Sequence, residues 1–458
     1  MSGRSQPGAA SEPPGSNPNR PASLNAVAQL SLGILGCGNV GGALVDLVAA
    51  RAGDIAARTG IELSVGAIAV RSPAKHREHV QNPELLTTDI RSVVEDPDID
   101  IVVELIGGIE PARELVLRAL ELRKPVITGN KELLANHGAE LYAAAERAGV
   151  DLLFEAAVAG GIPFIRPLRE SLIGEDITRV MGIVNGTTNF ILTQMTQRGA
   201  SYGDALADAQ RLGYAEADPT ADVEGFDAGA KAAIIATLAF GAVVVAGDVY
   251  HEGISSITAT DIEVASRLGY VIKAVAVIEG DTSVGDSPEV AVRVYPAMIP
   301  TSHPLANVND SFNAVFVEGR AVDDLMFYGR GAGGGPTASA VLGDIIDAAI
   351  NTTNDSAATI SNLRRAKIRP IDELSTAYYL SVQVADQPGV LARVADEFGA
   401  NSVSIRSMEQ RGLREQAELI FITHVSQESA VRATLDGLRG LDAVNKINSM
   451  IRVVGDEA

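Results

Sequence analysis

The chain has 458 residues, room for two to four domains, and its 46% hydrophobic and 21% charged residues are those of a globular protein. With 37 Lys and Arg against 58 Asp and Glu, the net charge of −21 argues against phosphate backbones and anionic lipid, and no Trp is available for stacking nucleic-acid bases. One cysteine, Cys37, excludes an intramolecular disulfide or a thiolate-rich metal site within the chain, which suits a reducing cytoplasm.

Residues 1–23 hold 13 Pro, Gly or Ser and no apolar run, so 1–25 reads as a disordered tail without the features of a secretory signal. From Leu30 strands and helices alternate. Leu30–Leu35 is an apolar strand, Asn39–Arg51 has helical spacing, and Leu63–Val70 and Ile99–Leu105 are further strands. Pro111–Leu122 is helical, Pro125–Thr128 a short strand, and Leu133–Ala148 a helix. That rhythm predicts an α/β fold, a Rossmann-type doubly wound parallel sheet, over residues 26–155.

Gly36-Cys37-Gly38-Asn39-Val40-Gly41 falls where a strand turns into a helix, the context that makes such a loop a dinucleotide site. Glycine there permits the tight turn and the approach of a pyrophosphate to the helix N-terminus. The end of the second strand holds Arg71, with Lys75 and Arg77 nearby, where an acid would bind a ribose hydroxyl. A cation favours the 2′-phosphate of NADP over NAD. Cys37, inside the loop, reads as structural.

Residues 156–345 are less regular and Gly-rich, an α+β substrate domain whose end returns to the nucleotide domain. Its weakly polar run Ala232–Gly247 is too short to span a bilayer and reads as a buried helix. Just before it, Glu216, Asp218, Asp222 and Asp227 precede Lys231, and Asp227 and Lys231 share a helix face at i and i+4. Only seven of the 37 basic residues are lysines, the residue whose pKa is tunable, which adds weight to one placed among carboxylates. The cluster suits a small zwitterion. The six histidines show no zinc spacing, and His303 reads as a loop histidine.

Residues 346–375 are polar and charged, a linker. From 376 to 458 the order is βαββαβ, a ferredoxin-like module: strand Ala377–Ala385, helix Val390–Phe398, strands Val403–Glu409 and Glu418–Val425, helix Glu428–Leu438, strand Val444–Val454.

The segment Ala209–Lys231, with Gly213, Asp218-Pro219, Asp222, Gly225, Asp227 and Lys231, resembles the signature of the homoserine dehydrogenase family. The resemblance extends from Ser31 to Gly343 and takes in Gly129-Asn130-Lys131, Asn185–Asn189 and Gly331–Gly335. It implies reversible NAD(P)-dependent interconversion of L-homoserine and L-aspartate 4-semialdehyde, on the route to threonine, methionine and isoleucine. It further implies that Lys231 exchanges the proton and that Lys131 lies against cofactor or substrate. Two facing ammonium groups are expected to lower each other's pKa. Glu216, Asp227 and Asp222, with Gly186 and Thr187, would hold the substrate. Gly36, Gly38, Asn39, Val40, Gly41, Arg71, Lys131, Gly213, Gly331 and Gly333 would hold the cofactor. A monovalent cation, Na⁺, is implied at Glu155, Val158, Gly160 and Ile162.

The C-terminal module resembles the ACT family of amino-acid-binding regulatory domains, through Asp386-Gln387-Pro388-Gly389-Val390-Leu391. That likeness implies an effector at Asp386, Gly389, Val390 and Leu391, with threonine as the candidate, and edge strands that pair into a homo-oligomer. Competing readings are a semialdehyde dehydrogenase with a catalytic cysteine, which the lone Cys37 does not supply, and a non-catalytic NADP- and amino-acid-sensing regulatory protein.

Overall fold

The computed structural model describes residues 27–75, 80, 82–281, 287–360, 362–413 and 416–455; the expected disordered tail and Arg77 lie outside these. Six parallel strands form the nucleotide sheet. In spatial order they are Leu86–Thr87, Ile61–Ala69, Ala28–Leu35, Ile101–Glu104, Val126–Thr128 and Leu152–Leu153. The order reverses between Ala28–Leu35 and Ile101–Glu104, the crevice where open α/β sheets take ligands.

The first helix runs Asn39–Thr59, eight residues beyond the expected end at Arg51. Gly53 does not stop it; the stop is Gly60, which takes φ 73° and donates its N–H back to Ala56. The helix expected from Leu133 starts earlier, at Lys131, because the Asn130 side chain caps it by accepting the Leu133 N–H at 3.1 Å. That cap places Lys131 in the first helical turn. Helix Gly334–Thr353 returns to the nucleotide domain, its Ala338, Val341 and Ile345 sharing one core with Leu44 and Val48.

The substrate domain is built on a mixed sheet. Its strands lie in the order Asp323–Arg330, Phe312–Gly319, Ile177–Ile183, Tyr270–Asp281, Glu289–Pro300. The apolar run expected as a buried helix is helix Phe226–Phe240, ended by Gly241 at φ 58°, after which Ala242–Val243 is extended. This helix packs on strands Tyr270–Asp281 and Glu289–Pro300.

The βαββαβ module has the expected element order, but it continues the substrate domain's sheet. Strand Val444–Val453 pairs in parallel with Glu289–Pro300, Ala297 opposite Arg452 and Met298 opposite Val453. The sheet proceeds through Ser375–Ala385 and Gln416–Thr423 to the outer strand Ile405–Leu413. The segment expected as a linker is also tied down: Arg364–Arg365 pairs with Ala242–Val243, and Lys367–Ile368 with Glu289–Val290. Of the module's two outer strands, one is thus partly covered by the chain itself.

Candidate active site

A cavity of about 1160 Å³ opens between the two large domains. The helix starting at Lys131 and the helix Phe226–Phe240 meet there, and their polar first turns supply its charge. The Asp227 carboxylate, 8% exposed, receives the Lys131 ammonium on Oδ1 at 2.5 Å and the Lys231 ammonium on Oδ2 at 2.7 Å. Lys231 also donates to the Val184 carbonyl at 2.7 Å. The Asn185 amide donates to Asp227 Oδ2 at 2.8 Å and to Asp222 Oδ1 at 2.7 Å, while its own oxygen caps the helix Gly186–Arg198 by accepting the Thr188 N–H.

The electrostatics follow from this order of charges. Burial opposes ionisation of Asp227, but the two ammonium groups hold its carboxyl well below the usual carboxylate range. Burial likewise works against the Lys131 charge, yet Asp227 more than reverses it and raises the ammonium above its ordinary value. The expected mutual lowering of the two lysines is therefore corrected for Lys131, because a carboxylate sits between them. Asp227, expected to grip the substrate, already takes three N–H donors on its two oxygens, which also makes it the joint between the lysines.

Glu216 and Asp218 are exposed at the rim of the same cavity, and Asp222 is half-buried beside it. Gly186, Thr187, Gly213, Gly331 and Gly333 also line it. Thr187 donates its hydroxyl to the Tyr214 carbonyl at 2.6 Å, so it fastens the acidic loop. Among residues not singled out from sequence, Asn185 is bonded to two of the carboxylates, and His251 and Arg330 line the wall. The Asn-Gly-Thr-Thr run after a strand was a readable cap signal for Asn185. His251 enters through strand pairing with Val294, which no local pattern shows.

The loop Gly36–Gly41 and Arg71 do not line this cavity; the loop adjoins it through Asn39. Gly36 takes φ 100°, and a Cβ on Gly41 would fall 2.2 Å from the Gly36 carbonyl, whereas Gly38 faces open space. No side chain caps the helix at Gly38. Its N–H groups therefore face a space that suits an anionic group, as a pyrophosphate requires. A Cβ on Gly334 would reach 2.7 Å from the Asn39 carbonyl, so the Gly331–Gly335 run connects loop and cavity. Arg71 is exposed beyond the end of strand Ile61–Ala69.

Other expected sites divide. Glu155 is buried, and its carboxylate accepts the N–H groups of Phe164, Ile165 and Arg166 at 2.6, 2.7 and 2.9 Å, capping a short helix. Val158 and Ile162 are buried nearby, and Gly160 packs on the Gly331 carbonyl and lines the cavity. Cys37 is buried, and burial pushes its thiol pKa up, which fits the structural reading. His303 caps a turn by accepting the Leu305 N–H. Asp386, Gly389 and Leu391 are exposed, with Val390 buried, at the start of helix Val390–Ala400.

Comparison with known proteins bears on all three parts. A family model described as the homoserine dehydrogenase NAD binding domain matches residues 36–155, one for homoserine dehydrogenase matches 163–346, and one for the ACT domain matches 378–442. The chain is 51% identical to a homoserine dehydrogenase of Corynebacterium glutamicum, over 93% of this chain and 96% of that protein. It is 49% identical to one from Mycobacterium tuberculosis H37Rv, over 93% and 98%. Among solved structures, a homoserine dehydrogenase from Thiobacillus denitrificans superimposes with a TM-score of 0.87 at 43% identity, covering 93% of this chain and 98% of that one. A hyperthermophilic archaeal homoserine dehydrogenase in complex with NADPH gives 0.60 at 29% identity, covering 70% and 98%.

Proposed function

The chain belongs to the homoserine dehydrogenase family, and from that premise we propose how its residues share the work of interconverting L-aspartate 4-semialdehyde and L-homoserine. The enzyme is an NAD(P)-dependent oxidoreductase. When bound, the nicotinamide supplies or takes the hydride. Gly36, Gly38, Asn39, Val40 and Gly41 would hold its pyrophosphate at the open helix N-terminus, with Gly213, Gly331 and Gly333 along the cavity.

Lys231 handles the proton at the substrate oxygen. Of its three N–H groups, one is spent on Asp227 and one on Val184, which aims the ammonium and leaves one for a ligand. Lys131, held charged by Asp227, is the second cation at the reacting end. Glu216, exposed at the rim, receives the substrate ammonium, and Asp222 with Gly186 and Thr187 shapes that end. The observation that carries this reading is the single buried carboxylate, Asp227, gripping two ammonium groups at a cavity that adjoins the glycine loop. The test is oxidation of NADPH, followed by absorbance, with aspartate semialdehyde in excess. Turnover supports it, and a folded protein that binds NADPH without turnover favours the sensing reading.

Arg71 selects NADP by pairing with the 2′-phosphate. A hydrogen bond to a charged group is worth about 1.5–3 kcal/mol, so Arg71→Ala should lower the NADPH-to-NADH ratio of kcat/KM about 10–100-fold. An unchanged ratio removes Arg71 from the cofactor site. The implied Na⁺ at Glu155, Val158, Gly160 and Ile162 would share the Glu155 carboxylate with three N–H groups, two on Oε1 and one on Oε2. No step is assigned to a cation.

The ACT module is a regulatory domain that binds an amino acid, with threonine as the effector and Asp386 as its ammonium partner. Inhibition by added threonine that is lost in Asp386→Ala supports this, and equal curves leave the module an assembly role. The outer strand Ile405–Leu413 offers the edge for a homo-oligomer. No helix among the described residues is long and apolar enough to cross a membrane, and a reducing cytoplasm suits the lone cysteine.

A further inference from the structure

The largest fully buried side chain among the described residues is a charged one, Arg452 of strand Val444–Val453, 1% exposed. Its guanidinium joins two domains. Nη1 and Nη2 donate to the two oxygens of Glu252 in the substrate domain at 2.8 and 2.9 Å. Nε and Nη2 donate to Glu428 in the C-terminal module at 2.9 and 2.6 Å. The Tyr295 and Tyr250 rings lie 4.6 and 5.5 Å from its centre. Fold stability is a weak reason for such a group, because well-packed apolar residues often serve a buried site as well or better. A planar fork on a carboxylate does something they cannot, which is to fix position and orientation together.

What Glu252 fixes leads to the active site. Its N–H donates to the Val294 carbonyl at 2.8 Å, beside the His251–Val294 pair. The His251 ring lines the catalytic cavity, packs 5.1 Å from the Phe226 ring, and covers Gly229, where a Cβ would fall 2.4 Å from Nε2. Phe226 and Gly229 flank Asp227 on its helix. On the other side, the Ile254 N–H donates to the Val223 carbonyl at 2.9 Å, and a Cβ on Gly253 would meet the Glu224 carboxylate. Residues 250–254 thus touch Arg452 along one edge and the turn that delivers Asp227 along the other.

We propose that Arg452 is a positioning residue of the active site: through its two-point hold on Glu252 it sets His251 and the turn Val223–Asp227, so the C-terminal module tunes the substrate side of the reaction. The inference rests on assigning the Lys131–Asp227–Lys231 cavity to the semialdehyde and homoserine. It separates two sides of one cavity, since residues 250–254 reach the carboxylate turn and not the glycine loop.

The test uses full-length Glu252→Gln and Arg452→Lys, with KM for homoserine, KM for NADP and kcat measured for each, and Tyr378→Phe as comparison. Tyr378 donates to Glu428 at 2.7 Å, so its loss loosens the module's side of the junction. The expected result is a rise in homoserine KM of about 10-fold, the worth of about one charge-assisted hydrogen bond, in both variants. KM for NADP should stay within about twofold, and Tyr378→Phe should change neither. An unchanged homoserine KM in folded Glu252→Gln, or equal rises in both KM values, overturns the proposal and leaves Arg452 a staple between domains. Should Arg452→Lys fail to fold, Glu252→Gln decides alone. A wild-type protein that does not turn over homoserine would instead overturn the catalytic assignment beneath it.

Discussion

Two triads of charge, one at the catalytic cavity and one between domains, share a plan with the signs exchanged. At the cavity one carboxylate, Asp227, lies between two ammonium groups; at the domain junction one guanidinium, Arg452, lies between two carboxylates. They differ in access and in chemistry. The Lys131 side chain is 36% exposed and Lys231 11%, whereas Arg452 and Glu428 are each 1% exposed, with Glu252 at 29% and tyrosine rings against the guanidinium. Lysine can give up its proton near neutral pH when its surroundings change, and arginine cannot. The same electrostatic arrangement therefore suits proton exchange where it is open and lysine-based, and a fixed joint where it is closed and arginine-based.

The largest effect should come from breaking the open triad. Lys231→Ala should lower kcat by about 10²–10⁴-fold, the usual worth of a positioned proton donor, while NADPH binding measured by cofactor fluorescence persists. Lys231→Arg should not restore turnover, because a guanidinium stays protonated. Activity within tenfold of wild type in either variant would end the distinction between the triads. Breaking the closed triad should appear in stability. Arg452→Met strands two carboxylates, one fully buried, so urea unfolding should show a loss of about 3–5 kcal/mol. A loss below about 1 kcal/mol would show that water reaches Glu428 and that the junction is not closed.

The two triads were unequally legible in the sequence. Asp227 and Lys231 are four residues apart before an apolar run, a local pattern that places both on one helix face. Lys131 was reachable only by resemblance, since its contact with Asp227 joins two separate domains. Nothing local marks Arg452: an arginine near the end of a final strand looks like any edge charge until that strand is paired with Glu289–Pro300. For the same reason the module was legible as a βαββαβ unit but not as the continuation of another sheet. Helix ends are set by caps that periodicity alone did not read: Asn130 starts one helix at Lys131, and Gly60, not Arg51, marks the end of another. That Asp227 also joins the two lysines was not legible, because composition shows which charges are near in sequence and Lys131 is not one of them.

Another buried cation sharpens the comparison by lacking a carboxylate in its first contacts. Lys273, 1% exposed, donates to the Val308 carbonyl at 2.5 Å and to the amide oxygens of Asn189 and Asn309 at 3.2 and 3.3 Å. Burial pushes its pKa down to about 8 from 10.5, with Asp310 opposing the shift. The folded pKa lies below the unfolded one, so between these values the unfolded chain binds more protons and stability rises with pH. One pKa unit corresponds to about 1.4 kcal/mol, which gives a gain of about 2–3 kcal/mol between pH 7 and pH 10. Lys273→Met should lack that rise, so the wild-type curve should gain on the variant across this window. The comparison is read from urea unfolding of both proteins at each pH. Parallel curves would mean that Lys273 keeps its ordinary affinity for the proton, and that carbonyl and amide oxygens support a buried ammonium as well as Asp227 does.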